Sequence, residues 1–202
     1  MIARSNIAAS SVKRRAYTKP ASAGRASAIL GGVTRLSIRL ARSCDASAMA
    51  RVHVAAVAHL CRTHYRPHEL ARWTNQGPGL YTALVRSATV VVAERAGVVV
   101  GFAAVSLAAG VVRAVYVHPG HAGGGVGGRL LARIERAARV YGVRRLVLDA
   151  TLNATPFYSR AGYRPVARTR SGLGLKCVRM SKVLWTPRRL NAPGSGGVRG
   201  RL

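Results

Sequence analysis

Residues 121–128, HAGGGVGG, constrain the fold more than any other stretch of this sequence. Five of these eight residues are glycine, and apolar residues at helical spacing begin directly after them. Glycine costs backbone entropy and contributes nothing to packing. A helix start presents unpaired N–H groups and partial positive charge, and glycines let a phosphate approach several of those groups at once. The pattern therefore predicts a loop that binds a phosphate-bearing cofactor at the start of a helix.

Glycine loops also serve other purposes, and the surrounding sequence bears on each. A nucleoside-triphosphate P-loop is disfavoured because no Lys-Ser or Lys-Thr pair follows the glycines. A dinucleotide-binding fold places an acidic residue about twenty residues later. Asp149 lies near that distance, but three hairpin-like strands are predicted directly before the loop, whereas the dinucleotide motif follows a first strand. A purely structural tight turn stays open on this feature alone.

The rest of the chain alternates between strand and helix patterns. Strands are predicted at 34–43, 89–94, 98–107 and 111–117 before the loop, and at 145–150, 165–169 and 175–184 after it. Helices are predicted after Asp45 as far as Cys61, from Pro67 through Trp73, at 128–141 and at 156–160. The order strand, two helices, three strands, helix, strand, helix, two strands predicts an α/β fold with a mixed sheet and a β–loop–α–β crossover.

Charge is distributed very unevenly, with 33 Lys and Arg against five Asp and Glu. Residues 1–32 carry six of the basic residues and residues 186–202 carry four, without an acid in either segment. We predict a basic N-terminal arm that is disordered or a transit peptide, a folded domain at 33–185 and a disordered basic tail. The 23 basic residues left in the domain favour anionic ligands: nucleic acid, acidic membrane or a phosphorylated cofactor.

Composition argues against several other classes. The three cysteines are odd in number and widely spaced, which disfavours a disulfide framework and a structural zinc site. His64 and His68 are four residues apart, but Pro67 breaks the helical face they would share, so no metal site is predicted. No apolar run is long enough for a membrane span. We expect a cytoplasmic protein.

Two signatures at a fixed separation resemble the GNAT superfamily of acyl-CoA-dependent N-acetyltransferases. The first is AVYVHPGHAGGGVGGRLL at 114–131, and the second is ATLNATPFYSRAGY at 150–163. The closing Met180-Ser181-Lys182 matches the final strand of that family, so the resemblance spans about residues 34–185. It implies a mixed α/β fold in which acetyl-CoA is the co-substrate and lies in a cleft between the strands at 111–117 and 145–150.

The resemblance also implies roles for individual residues around that cleft. Backbone groups of Val115 and Val117 would pair with the pantetheine arm, and the Val117 N–H would polarise the thioester carbonyl. Asn153 would be a further cofactor contact. The loop backbone would hold the diphosphate through Gly123, Gly124, Gly125, Val126, Gly127 and Gly128. The family usually has Gln or Arg at the position of Ala122, whose side chain adds neither a hydrogen bond nor charge.

Tyr158 matches the tyrosine that protonates the departing thiolate in the family, and a phenol is protonated at neutral pH. The alternative is that Phe157 and Tyr158 form a core pair on a short helix. No general base stands out: Asp149, Glu69 and His118 are candidates, and water can relay the proton instead.

The remaining acids and arginines have structural interpretations. Asp45 is interpreted as a helix cap and Glu94 as a surface charge at a strand end. Within the long helix, one face is predicted to carry Leu130, Ile134, Ala137 and Tyr141. The arginines at 129, 133, 136 and 139 would point elsewhere, as a solvated face or as a stripe that grips nucleic acid.

The leading hypothesis is an N-acetyltransferase that moves an acetyl group from acetyl-CoA to a small-molecule or peptide amine. The alternative is a basic nucleic-acid-binding protein that retains the scaffold with little or no activity; a longer acyl chain is a third option. The resemblance implies an acceptor pocket formed by the segments 53–73 and 169–175. Their positive charge disfavours polycationic acceptors. The oligomeric state is open, a homodimer included.

Overall fold

The computed structural model describes residues 35–184, as one mixed sheet covered by helices on both faces. The predicted arm at 1–32 and tail at 186–202 lie outside the described residues. The strands are β1 Ser37–Leu40, β2 Thr89–Arg95, β3 Val98–Ser106, β4 Val111–Val117, β5 Arg145–Thr151, β6 Arg164–Arg170 and β7 Lys176–Val183. The helices are α1 Ala46–Leu60, α2 Pro67–Thr74, α3 Pro78–Ser87, α4 Val126–Val140 and α5 Thr155–Arg160. None of these helices is long and apolar enough to cross a membrane.

The sheet runs in the order β1-β2-β3-β4-β5-β7-β6. Every neighbouring pair is antiparallel except β4 and β5, which are parallel and meet at one Cα pairing, Val111 with Val147. The Val147 N–H donates to the Gly110 carbonyl at 2.9 Å. Beyond that point the ladder stops, so the two central strands separate and leave a gap in the middle of the sheet.

Each face of the sheet carries its own core. On one face α4 packs Leu130, Leu131, Ile134 and Ala138 against strand residues, with α5 beside it. The helix comes very close to β3, since a Cβ on Gly101 would lie 3.0 Å from the Leu130 side chain. On the other face α1 and α3 cover a cluster around Val92, Phe102 and Ala104, and Trp73 of α2 joins a third cluster with Tyr65 and Val57.

The predicted order of elements lacked α3. The segment at 77–79, Gly-Pro-Gly, is typical of a turn, but proline is also favoured in a first helical turn because no N–H is needed there. Pro78 occupies that place, and Tyr81 and Leu84 lie one turn apart and bury themselves against the sheet. The helix is therefore stabilised by packing that the local pattern does not display.

Two boundaries also differ from the predictions. The strand expected at 34–43 extends only over Ser37–Leu40, because the Asp45 carboxylate accepts the Arg42 N–H at 2.7 Å and bends the chain into a 3₁₀ turn. Helix α4 begins at Val126 instead of Gly128. Tyr141, expected on its apolar face, is 55% exposed because it follows the last helical turn, and Leu131 and Ala138 are buried in its place.

Candidate functional site

The gap between β4 and β5 opens into a cavity of about 590 Å³. Its floor is formed by both strands, from Val111 to Tyr116 and from Val147 to Thr151, and its sides by α1, α2, α3 and the turn between β6 and β7. Both segments that the resemblance implied for an acceptor pocket contribute residues. The α3 residues Leu80 and Tyr81 and the β4 residue Arg113 also line it, and these three were not predicted.

The ladder between β3 and β4 determines which backbone groups of β4 face the gap. The His118 N–H donates to the Val100 carbonyl at 2.9 Å, so His118 faces β3. In an antiparallel pair, hydrogen-bonded and non-hydrogen-bonded positions alternate. With Gly101 opposite Val117, the N–H and C=O groups of Val117 and Val115 therefore point away from β3 and toward β5. These are the two residues predicted to meet a ligand there.

The glycine loop ends as an uncapped helix start. Gly123 and Gly125 adopt left-handed backbone, with φ of +79° and +75°, which other residues rarely adopt. Gly125 is the N-cap residue of α4, and no side chain accepts a hydrogen bond from the first turn. A Cβ on Gly123, Gly125 or Gly128 would meet nothing within 4 Å, so the loop surface is open. The first turn of α4 therefore has N–H groups that no side chain accepts, and Ala122 beside it is exposed.

Gly127 has a packing role as well. A Cβ there would lie 3.4 Å from the Phe157 ring, so the missing side chain lets α5 dock against the first turn of α4. Gly124 has no such packing role, because the nearest atom to a Cβ built there would be the His121 carbonyl oxygen at 3.9 Å. The glycines of the loop thus have different roles: Gly123 and Gly125 adopt the left-handed turn, Gly127 allows helix packing, and Gly124 and Gly128 lie at an open surface.

Tyr158 lies on α5 and is buried, with its ring 4.9 Å from that of Phe157 and 5.7 Å from that of Tyr163. It belongs to the core cluster of the α4 face. Burial raises the pKa of the Tyr158 hydroxyl above its usual range, which keeps the phenol protonated. The structure therefore shows the core pair with Phe157, and the catalytic role of Tyr158 stays a prediction.

A splayed pair of parallel strands leading to a glycine-rich helix start is the arrangement that the sequence signatures implied. A profile of the acetyltransferase (GNAT) domain matches residues 61–184, more than half of the chain. The chain belongs to the GNAT acetyltransferase family. Members of this family carry out acyl transfer, and the mixed seven-stranded sheet is consistent with their fold.

Solved structures agree with this assignment. A GCN5-related N-acetyltransferase from Rhodopseudomonas palustris is 25% identical with a TM-score of 0.70, over 76% of this chain and 99% of that one. An acetyltransferase of Salmonella typhimurium, solved with acetyl-CoA, is 26% identical with a TM-score of 0.53, over 80% and 99%. The PaiA N-acetyltransferase of Thermoplasma acidophilum, in complex with coenzyme A, shares the fold at 15% identity and a TM-score of 0.66, over 74% and 99%. A search of curated proteins finds no match.

Asn153 of this GNAT domain lies in the 3₁₀ turn after β5, where its Oδ1 accepts a hydrogen bond from Cys61 Sγ at 3.5 Å. Tyr65, which was not predicted as a site residue, secures the same turn. Its hydroxyl donates to the Lys176 carbonyl at 2.6 Å and accepts the Leu152 N–H at 3.0 Å. The sequence signal was the Tyr-x-Pro motif that precedes α2. These contacts tie the end of α1 to the open end of β5.

All five Asp and Glu residues of the chain lie in the described part, and the carboxylate of each accepts a hydrogen bond or forms an ion pair. Asp45 is not a simple helix cap, because it also forms an ion pair with Arg39, which reaches Glu94 as well. Glu69 accepts the Arg66 N–H at 2.8 Å, and Asp149 lines the cavity but holds Arg179 through two contacts of 2.8 and 3.0 Å. The fifth, Glu135, is buried beside Lys182.

The third candidate base, His118, is exposed and accepts the Gly120 N–H through Nδ1 at 3.2 Å. None of the three candidate bases is therefore a free acceptor aimed into the cavity. Within residues 35–184, no group of three or more His, Cys, Asp and Glu side chains could hold a metal ion.

His53 lines the cavity and is the buried polar residue that sequence reasoning missed. Its Nδ1 lies 2.6 Å from the Tyr81 hydroxyl, and its ring stacks edge-on against Tyr116 at 4.6 Å. Burial raises the pKa of Tyr81 to about 12, which keeps this phenol protonated at neutral pH. The His53 Nε2 has no partner among the described residues. The signal was its position in the buried stripe of α1, between Val52 and Ala56.

The stability of the domain should fall as the pH drops from about 6.5 toward 4. Burial lowers the pKa of His53 to about 4, against 6.5 in an unfolded chain, so the unfolded state binds the extra proton in this window. Each pH unit should cost up to about 1.4 kcal/mol of unfolding free energy. Urea titrations at several pH values measure the slope. His53→Gln, which cannot titrate, should flatten it; an unchanged slope would assign the acid sensitivity to other groups.

Proposed function

We propose that this chain transfers an acetyl group from acetyl-CoA to a primary amine by direct attack, without an acyl-enzyme. The observation that carries the proposal is the gap between β4 and β5, together with the uncapped glycine start of α4 that follows β4 along the chain. An extended thioester arm would lie in the gap, and its diphosphate would lie at the helix start. The acetyltransferases from Salmonella typhimurium and Thermoplasma acidophilum, solved with acetyl-CoA and coenzyme A, support this choice of donor.

The backbone of the loop would bind the diphosphate. Unpaired N–H groups from Gly123 to Gly128 supply hydrogen bonds, and the helix dipole adds attraction for negative charge. Because no side chain caps α4, these donors need no displacement before a ligand binds. Ala122 removes one side-chain contact typical of the family, and the backbone donors carry the binding. Asn153 would contact the cofactor from the turn after β5, across the gap from the loop.

The outward-facing backbone of Val115 and Val117 would align the acyl donor as an added strand. The donor supplies a thioester whose carbonyl carbon is open to attack. The Val117 N–H would hydrogen-bond the carbonyl oxygen where negative charge develops, which is the role of an oxyanion hole. A fixed donor in a partly dry cleft stabilises that charge without reorganising at the moment of reaction.

Tyr158 would assist departure of the thiolate. Its raised pKa keeps the hydroxyl protonated, whereas an ordinary thiol has a pKa of about 8.5. Complete transfer of the phenolic proton to sulfur is therefore uphill, and the hydroxyl would act mainly by donating a hydrogen bond to the departing sulfur. As the C–N bond forms and the C–S bond breaks, the proton lost by the amine reaches the thiolate through solvent.

The amine must be neutral to attack, and no free carboxylate is present to deprotonate it. The arginines of the cavity supply another means, because a positive environment lowers the pKa of a bound ammonium group. Arg113 and Arg170 line the cavity without a carboxylate partner among the described residues. The bound amine would then release its proton to water at neutral pH.

A thermal-shift titration with acetyl-CoA tests the proposal. A ligand that binds only the native state adds about 2.7 kcal/mol of stability at a hundredfold excess over its Kd. We expect a saturable rise in Tm with acetyl-CoA and release of free CoA when an amine is added. No shift, together with salt-sensitive retention of DNA, would support the alternative of a nucleic-acid-binding scaffold, for which the exposed arginines of α4 are the motivating surface.

Gly125→Val should weaken acetyl-CoA binding by about tenfold or more, because a β-branched residue strains the left-handed N-cap and crowds the loop. Isothermal titration calorimetry measures the loss. The matched control is Gly142→Val at the other end of the same helix, where φ is +87° and a Cβ likewise meets nothing within 4 Å. That variant should lose comparable stability and keep its affinity. Equal affinity losses in both would mean that helix strain, and not the loop, controls binding.

A further inference from the structure

The cavity beside the β4–β5 gap has cationic and aromatic walls and one acid, Asp149. Its charged residues are Arg113, Arg170, Arg179 and Asp149. Arg179 and Asp149 neutralise one another through a two-pronged contact of 2.8 and 3.0 Å. Arg170 uses one guanidinium nitrogen on the Gly174 carbonyl at 2.8 Å, which steadies the β6–β7 turn but leaves its charge uncompensated.

Arg113 is presented to the cavity by a β-bulge. Ala104 of β3 lies opposite Ala114, while Val105 lies opposite Val112, so Arg113 has no Cα partner on β3. Bulges of this kind re-aim a side chain and often lie next to active sites. Arg113 is half-buried and forms no hydrogen bond or ion pair within the described part of the chain. A guanidinium at a cavity wall that holds no anion is free to bind an anionic group of a ligand.

The opposite wall is aromatic. His53, Trp73, Tyr81, Phe102 and Tyr116 line it, and their rings contact one another edge-on or tilted at 4.6 to 6.5 Å between centroids. The His53 Nε2 has no partner among the described residues, so this wall also offers a buried polar atom to a ligand. The charged groups of the cavity that lack an opposite charge, Arg113 and Arg170, are both cations.

We propose that the acceptor is a primary amine that also carries an oxyanion, a carboxylate or a phosphonate-type group, on an apolar or aromatic body. The inference rests on the proposed function and names the substrate class of the same site. Arg113, with Arg170 at the turn, binds the oxyanion through paired N–H donors, and the ring wall takes the apolar body. This arrangement holds the amine in the cavity without a carboxylate to bind it as an ammonium ion.

Three matched amines test the inference: L-phenylalanine, its aminophosphonate analogue and phenethylamine, which lacks the anion. Binding to the CoA-saturated protein is measured by calorimetry, and turnover with acetyl-CoA by mass detection of the acetylated product. We expect the anionic amines to exceed phenethylamine in both by about tenfold or more. The first two compounds then distinguish a carboxylate from a phosphonate preference.

Variants locate the preference in the cavity. Arg113→Gln should bring the anionic amines to the level of phenethylamine, and Arg170→Gln should reduce the preference in part. Arg51→Gln, on the exposed side of α1 and outside the cavity, makes the same charge change and should leave the preference intact. Thermal melts of each variant check folding.

Three outcomes would overturn the inference. Phenethylamine could bind and react as well as the anionic amines, none of the three amines could bind, or the preference could survive in Arg113→Gln. The proposed function would still stand on acetyl-CoA binding and on acetylation of any amine. A protein that neither binds acetyl-CoA nor releases CoA would fail the proposed function itself, whichever amine the calorimetry prefers.

Discussion

Replacing Tyr158 by Phe should lower kcat by about a hundredfold or more, while the affinity for acetyl-CoA stays nearly the same. The change removes one hydroxyl from a buried ring and leaves the contacts of that ring with Phe157 and Tyr163 in place. A hydrogen bond that strengthens only as the sulfur departs acts on the transition state and not on the ground state. Steady-state kinetics with a detectable amine, together with calorimetric titration of acetyl-CoA, measure the two effects separately.

The matched control is Tyr163→Phe. Tyr163 lies in the same ring cluster, and its buried hydroxyl interacts with Glu135. Removing that hydroxyl should leave kcat unchanged, and any loss of stability is measured separately by chemical denaturation. If Tyr158→Phe behaved like Tyr163→Phe, Tyr158 would be a core residue only, and the departing thiolate would take its proton from solvent unaided.

Replacing Glu135 by Leu should destabilise the domain by about 3 kcal/mol or more. Glu135 is buried on α4, and its two carboxylate oxygens accept hydrogen bonds from Lys182 Nζ of β7 at 2.9 and 2.8 Å. The same ammonium donates to the Ala161 carbonyl at 2.7 Å. The pair therefore joins three elements: α4, β7 and the end of α5. Without the carboxylate, the Lys182 ammonium, whose side chain is 21% exposed, is left with an uncompensated charge. Chemical denaturation of both proteins measures the difference.

A double-mutant cycle separates the charge pair from packing. Lys182→Met alone should also destabilise, because it leaves a buried carboxylate with only the longer contact to Arg139 at 3.4 Å. The double variant Glu135→Leu with Lys182→Met should recover most of the loss, since it replaces both charges by apolar groups of similar size. Additive losses in the cycle would contradict a direct coupling between the two side chains.

Much of the fold followed from local patterns. The strands at 89–95 and 111–117 were predicted almost to the residue because alternation and apolar runs display burial directly. The long helix was predicted at 128–141 and ends at Val140, and Gly142 follows its C-cap with φ of +87°, which few other residues adopt. Helix α3 was missed because its stability comes from Tyr81 and Leu84 packing on a distant strand layer, which no local pattern displays.

Part of the candidate site was likewise predictable from local sequence, and part was not. The glycine run predicted an exposed helix start, because a glycine at such a position serves the backbone conformation and has no side chain to pack. Asp149 could not be excluded as a base from the sequence, since its partner Arg179 lies on a strand paired to it across the sheet. His53 was hidden among apolar neighbours on α1, and its contact with Tyr81 joins residues 28 positions apart.

By itself, the sequence determined the order of the strands, the family and the position of the glycine-rich turn before α4, because each depends on residues that are neighbours in the chain. Only the tertiary structure decided what surrounds the acceptor. Periodicity tells which face of an element is buried but not what it is buried against. The bulge at Arg113, the ring wall and the pairs Asp149–Arg179 and Glu135–Lys182 therefore depend on contacts between distant segments.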